Sequence, residues 1–148
     1  MPIRTLQPSR RETAEIIYKM QYRSYQIEAD LIDFQDLPPL KETVETIQSS
    51  NETFLGYFID DELVGVVSYK DENEEIDIYR MMVDPDHFRK GIADCLLTYL
   101  KKQYPDHTFI VHTGSKNTPA VNLYKKHGFK TVDEVEVAPN IYISQMKS

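Results

Sequence analysis

A single cysteine, Cys95, occurs in the 148 residues. That excludes an internal disulfide and any cysteine-based zinc cluster. Cys95 falls inside a helical pattern, where a cysteine packs as a small apolar residue; a nucleophilic role would require an exposed, electropositive setting. The four histidines, His87, His107, His112 and His127, show neither HxxxH nor HxH spacing, so no metal site is predicted. No apolar run is long enough to span a bilayer, and the opening MPIRTLQPSRRET lacks the apolar stretch of a signal peptide. The expectation is a cytoplasmic protein with no membrane partner. Cationic side chains are in deficit, 17 Lys and Arg against 24 Asp and Glu, for a net charge of −7. A nucleic-acid binder would carry a basic stripe, and none is present. Glycine is also scarce, at five residues. There is no GxxxxGK[ST] loop, no GxGxxG after a strand, and no Gly/Ser linker or repeat, so residues 1–148 are read as one domain.

What is present is an ordinary globular composition, 41% hydrophobic and 28% charged. Ile3–Leu6 alternates like a short strand. Ser9-Arg10-Arg11-Glu12 reads as a capping box. It opens a helix to about Ala29, with Ile16, Met20, Ile27 and Leu31 at helical spacing. Pro38-Pro39 breaks the chain, and a short helix is predicted from Lys41. Thr53–Ile59 and Leu63–Tyr69 read as a hairpin turning at Asp60-Asp61-Glu62, and a polar turn at 71–74 leads to a strand over Glu75–Val83. A helix begins near Lys90-Gly91, with Ile92, Ala93, Leu96, Leu97 and Leu100 on one face, and ends before Pro105. Thr108–His112 is a strand. Thr118 as N-cap with Pro119 at the first position starts another helix, which Gly128 closes in a left-handed conformation. Thr131–Val137 and Ile141–Gln145 complete an α/β (α+β) order. It predicts a central mixed, mostly antiparallel sheet of six to seven strands with about four helices.

The informative stretch is strand, turn, glycine, helix, from Ile78 to Ala93. A helix N-terminus presents unpaired amides and the positive end of a dipole. Gly91 lets an anion approach the backbone, and Arg89 and Lys90 add formal charge. The combination forms a candidate diphosphate cradle; a plain strand-to-helix turn with two solvated cations is the competing reading. Separately, Glu28, Asp30, Asp33, Asp36, Glu42 and Glu45 crowd residues 26–50 against Lys41 alone. They would attract a cation or form a solvated helix face.

Phe88-Arg89-Lys90-Gly91-Ile92-Ala93 resembles the (Q/R)-x-x-G-x-(G/A) signature of the GNAT superfamily of N-acetyltransferases. Asn117…Ala120…Leu123-Tyr124…Gly128-Phe129 resembles that family's second motif, N-x-x-A-x-x-L-Y-x-x-x-G-F. The motifs stand in the family's order and spacing, and the resemblance covers nearly the whole chain. Phe88 takes a position usually held by Gln or Arg.

The resemblance implies acetyl-CoA as cosubstrate, without a metal, and direct attack by a primary amine of a small molecule or peptide on the thioester. It implies that the strand ending at Val83 splays from Thr108–His112. Met82 and Val83 would pair with the pantetheine arm, and the segment Phe88, Arg89, Lys90, Gly91, Ile92 and Ala93 would hold the diphosphate. Asn117 would contact the cofactor, and Tyr124 would protonate the departing thiolate; capping and packing are their structural alternatives. For the base the resemblance points to the strand before the first motif, where Asp77 and Glu75 lie on one face; surface solvation, a water, His87 or His112 remain alternatives. Tyr22, Tyr25, Glu28 and the Pro38-Pro39-Leu40 turn are placed near the acceptor. An acyl-CoA-binding sensor or adaptor without efficient turnover is the alternative function, and a homodimer through an edge strand or the C-terminal hairpin stays open.

Overall fold

The unbroken apolar run Leu63–Val67 requires cover on both faces of the sheet, and the computed structural model, described for residues 2–148, supplies it. Seven strands form one sheet in the order β1-β2-β3-β4-β5-β7-β6. They are β1 (Ile3–Thr5), β2 (Thr53–Ile59), β3 (Glu62–Glu72), β4 (Glu75–Val83), β5 (Thr108–Gly114), β6 (Lys130–Ala138) and β7 (Ile141–Lys147). Every neighbouring pair is antiparallel except β4 and β5, which run parallel. The helices are α1 (Arg11–Ile32), α2 (Pro38–Lys41), α3 (Val44–Gln48), α4 (Ile92–Gln103) and α5 (Thr118–Lys126). The mixed, mostly antiparallel sheet and its flanking helices, five among the described residues, agree with the expectation from sequence.

Successive residues of a strand point to opposite faces, and the two cores follow. Phe54, Val66 and Met82 pack with Ala14, Ile17 and Met20 of α1. Their strand neighbours Leu55 and Val67 pack on the other face with Leu96, Leu97 and Leu100 of α4. Two tight turns set the register. Asp60 and Asp61 (φ 48° and 65°) join β2 to β3, and Asn73 and Glu74 (φ 53° and 60°) join β3 to β4. Both pairs are left-handed, the conformation whose twist matches that of the flanking strands.

Several local expectations are corrected. The capping box at Ser9 does not form: the N-cap is Arg10 without a side-chain cap, and the Ser9 carbonyl instead accepts from Gln48 at 3.0 Å. The helix runs on to Ile32, where Asp33 closes it in the left-handed region (φ 57°). Its buried stripe is Ala14, Ile17, Met20, Gln21, Ala29 and Ile32, while Ile16, Ile27 and Leu31 are exposed. Pro38-Pro39 opens α2 rather than breaking the chain, since proline fits the first turn of a helix. In α5 the cap is Asn117, whose Oδ1 accepts the Ala120 amide at 3.3 Å. Thr118 and Pro119 then lie inside the first turn.

A buried ionic cluster fixes α1 to the sheet and to the α2–α3 segment. Arg80, 5% exposed, donates to Glu52 (3.0 and 3.2 Å), Glu42 (3.0 Å) and Gln21 (3.0 Å). Gln21 in turn donates to the Pro39 carbonyl at 2.9 Å and Glu42 at 2.8 Å, and Ser68 donates to Glu52 at 2.6 Å. Buried charge persists only when its hydrogen-bonding capacity is met, and here the fork of the guanidinium is filled on each side.

Candidate active site

The site begins with a bulge. Ser68 pairs with Arg80 and Tyr69 with Ile78, so Tyr79 is an extra residue in β4. Before the bulge, β4 pairs with β5 from Glu75↔Thr108 to Ile78↔Val111; beyond it no pairing with β5 continues. β5 runs on to Gly114 attached only to β7. A bulge bends its strand and raises the local twist, and the two parallel strands separate into a wedge. Met81 and Val83 turn their peptides toward that wedge. This parity follows from the Asp84 amide, which bonds back to Val64 of β3, and from the Met81 amide, which donates to the Tyr25 hydroxyl at 3.3 Å. Met82, at the alternate position, turns its peptide to β3.

A cavity of about 570 Å³ occupies the wedge, within the size range of small-molecule sites. Strand β4 from Ile78 to Val83 forms one wall, and Val111, His112 and Thr113 of β5 form the opposite one. Ser24, Tyr25, Ile27, Glu28 and Leu31 of α1 cover one end. His87, Phe88, Arg89, Gly91, Ala93 and Asp94 surround the N-terminus of α4, while Asn117, Ala120, Leu123 and Tyr124 of α5 line the floor.

At the α4 end the backbone is shaped for an anion. Arg89 and Gly91 both take left-handed φ (66° and 74°), and a side chain added at Gly91 would meet nothing within 4 Å. The surrounding space is therefore open. Among the described residues, no carbonyl accepts from the amides of Arg89 to Asp94; the first bond into the helix is Cys95 to Gly91. These free donors at the positive end of a helix fit a diphosphate. Asp94 is tied away from them to His127 (2.7 Å) and Lys126 (3.2 Å), which hold its carboxyl below the ordinary range, the His127 hydrogen bond first.

At the other end, Tyr124 is 3% exposed, with its ring against Phe129. Among the described residues, no group hydrogen-bonds its hydroxyl. Burial, followed by nearby Tyr25 and Glu28, pushes that hydroxyl well above the usual tyrosine range. Tyr25 is raised likewise by burial and then by Glu28. The Glu28 carboxylate accepts from the Thr113 hydroxyl (3.2 Å) and the Gly114 amide (3.4 Å), both through Oε1.

The structure thus brings together most of the residues singled out in the sequence. Met82, Val83, Phe88, Arg89, Gly91, Ile92, Ala93, Asn117, Tyr124, Tyr25 and Glu28 all line the cavity. Others stand outside its lining. Lys90 reaches His87 at 3.1 Å instead, and Tyr22 faces solvent. Pro39 is held against Gln21. Glu75 pairs with Lys147 at 3.5 Å. Asp77 also lies outside, raised by burial, with His112 as its leading electrostatic partner. The β4 bulge explains the pair's displacement, since both precede the point where the strands part. Sequence reasoning missed Tyr79, Thr113 and Arg80. The arginine flanked by Ile78, Met81 and Met82 was a readable sign of a buried charge.

A sequence profile of the Acetyltransferase (GNAT) family matches residues 14–129. The chain belongs to the GNAT family of acetyltransferases. It is 38% identical over 143 residues to the UPF0157 protein YqkA of Bacillus subtilis, a match that covers 96% of this chain and 42% of that one. The chain therefore spans less than half the length of that relative. The ribosomal-protein-S18-alanine N-acetyltransferase of Escherichia coli superposes with a TM-score of 0.77 at 17% identity, covering 98% of this chain and 90% of that one. The PaiA N-acetyltransferase of Thermoplasma acidophilum, solved in complex with coenzyme A, does so with 0.72 at 20% identity over 100% and 99%. At such identities the superpositions speak to the fold. Among the described residues, no group of three or more His, Cys, Asp and Glu is placed to hold a metal ion, and no helix is long and apolar enough to cross a membrane.

Proposed function

We propose that this domain transfers the acetyl group of acetyl-CoA to a primary amine by direct attack. The observation that carries the reading is the unpartnered Tyr124 hydroxyl, which lies in the same cavity as the free amides at α4. One end of the cavity suits a diphosphate and the other a proton transfer, with the β4–β5 wedge between them. The amides of Arg89 to Ala93 hold the diphosphate, assisted by the Arg89 guanidinium. The wedge-facing peptide of Val83 is free to pair with the pantetheine arm as an added strand would.

In the reaction, the amine nitrogen bonds to the acetyl carbonyl carbon and the carbon–sulfur bond breaks. The departing sulfur takes the Tyr124 proton, and the substrate ammonium gives up two, for a net release of one. A buried hydroxyl with a raised pKa stays protonated at neutral pH, as a donor must. Glu28 and His112 in the wall can accept from the ammonium, whereas Asp94 is engaged by His127 and Lys126 and His87 by Lys90. Asp77 and Glu75, outside the cavity, reach it only through intervening water or His112.

Incubating the protein with acetyl-CoA and a panel of primary amines, while following free thiol and acetylated product by mass, tests this. Equal amounts of thiol and N-acetyl product are expected. Tight acetyl-CoA binding with no product from any amine would instead support the sensor or adaptor reading, which the unusual Phe88 favours.

A further inference from the structure

The acidic segment between residues 26 and 50 suggests a site for polycations, yet the structure commits most of those carboxylates elsewhere. Asp30 bonds Gln26 and Gln35, Asp36 pairs with Lys41, Glu42 with Arg80, and Glu45 with Arg11. Asp33 forms the left-handed end of α1. In the cavity wall only Glu28 and Asp94 are carboxylates, and Asp94 lies at the cradle end, paired with His127 and Lys126. The acceptor end therefore holds a single carboxylate. One oxygen of Glu28 receives Thr113 and Gly114, which fixes the group and leaves the other oxygen without a protein partner among the described residues.

The flanks of that carboxylate are apolar. Ile27 and Leu31, one helical turn apart, line the cavity beside Glu28, yet are 37% and 50% exposed. Of the three exposed aliphatic residues of α1, Ile16, Ile27 and Leu31, these two face the cavity. Tyr79, the extra residue of the β4 bulge, also lines the cavity and is 47% exposed, with the Lys70 ammonium 5.0 Å from its ring centroid. A large apolar side chain left half-open at the rim of a cavity gains free energy when a ligand covers it. A second ammonium set against the same rim would lose hydration with no counter-charge.

We propose that the acceptor is a primary amine bearing one positive charge on an apolar body. Its ammonium sits at Glu28 and its apolar part covers Ile27 and Leu31; polyamines and other multiply charged amines are disfavoured. The inference rests on the acetyltransferase reading for the identity of the ligand, but it is tested by binding alone.

The test uses tertiary amines, which have no N–H to exchange for an acetyl group. The CoA-loaded protein is titrated calorimetrically with N,N-dimethylphenethylamine, a monocation with an apolar body, and with N,N,N′,N′-tetramethylputrescine, a compact dication. The monocation is expected to bind about tenfold more tightly or better, the range over which apolar contacts discriminate. Leu31→Glu, at an exposed position outside both cores, should narrow or reverse that ratio by supplying a second carboxylate. Glu28→Gln should weaken the monocation by about tenfold or more. Equal or tighter binding of the dication by the wild type, an unaltered ratio in Leu31→Glu, or binding of neither probe overturns the proposal. Thiol release with phenethylamine and putrescine separates the two readings. If both amines are acetylated but putrescine is preferred, this inference fails and the acetyltransferase reading stands. If the monocation binds at Glu28 and no amine is acetylated, the reverse holds.

Discussion

Glu28 on α1 accepts the Thr113 hydroxyl at 3.2 Å, joining positions 85 residues apart across the open end of the β4–β5 wedge. The bond spans the cavity end where β5 has lost its β4 neighbour, so it holds both the helix and the strand end in place. Thr113→Val removes the hydroxyl at nearly constant volume. The loss of a hydrogen bond to a charged group costs about 1.5–3 kcal/mol, a fall in Tm of roughly 3–10 °C for a domain of this size. The Glu28 carboxylate is then held by the Gly114 amide alone, so KM for the acceptor should rise while the Kd for CoA stays within about twofold, a change below 0.5 kcal/mol. Thermal melts and initial rates check both effects.

The Arg80 cluster makes a larger prediction. Arg80→Met leaves Glu52 and Glu42 without their guanidinium in a region where the arginine is 5% exposed. Breaking one side of a buried pair costs about 3–5 kcal/mol, so Tm should fall by roughly 10 °C. A Tm within about 2 °C of wild type would show that the cluster contributes little to holding α1 on the sheet.

A pH-dependent effect is expected at the N-terminus of α4. Asp94 is held below the ordinary carboxylate range by His127 first and Lys126 second. A depressed folded-state pKa stabilises the protein above the unfolded value, about 3.9, and the contribution is lost as pH falls through the folded value. Asp94→Asn should therefore lower Tm at neutral pH, with the difference from wild type shrinking as the pH falls below about 4. A difference of constant size from neutral pH to about pH 3 would assign the effect to packing rather than charge.

Gly91 separates backbone conformation from steric space. Its φ is 74°, yet an added Cβ would meet nothing within 4 Å. Gly91→Ala should thus cost only the left-handed strain of about 1–2 kcal/mol, with the fold kept. If the backbone relaxes to relieve the strain, the amides from Arg89 to Ala93 move with it, and CoA affinity should fall. Circular dichroism melts and CoA titration measure the two consequences.

Much of this architecture was legible in the chain because its signals are local. Thr53–Ile59 and Glu75–Val83 emerge as strands with the bounds expected from β-rich runs between polar turns, and Gly128 ends α5 with φ 87°. The two motifs line one cavity because the first lies at the N-terminus of α4 and the second presents Asn117, Ala120, Leu123 and Tyr124 along α5 to the same wedge. Position-dependent features were less visible. The bulge at Tyr79 exists only in the register of β4 against β3, so alternation counted from Val83 cannot be carried back to Glu75 and Asp77. The buried face of α1 departs from its apolar stripe for a related reason. Gln21 is buried by its partners Arg80, Glu42 and Pro39, from distant parts of the chain, whereas Ile27 and Leu31 face a cavity instead of the core. Hydrophobicity at helical spacing does not distinguish core from ligand-facing surface.

The central claim is that Tyr124 donates the proton to the leaving thiolate, and the kinetics of Tyr124→Phe test it most directly. The substitution keeps the ring against Phe129 and removes a hydroxyl that no group among the described residues hydrogen-bonds, so the fold should be retained. With the amine that the wild-type protein acetylates best, kcat should fall by about a hundredfold or more, the usual size of a general-acid contribution. The Kd for CoA should change less than about threefold, or 0.7 kcal/mol. A variant that binds CoA normally and turns over at the wild-type rate would contradict the account.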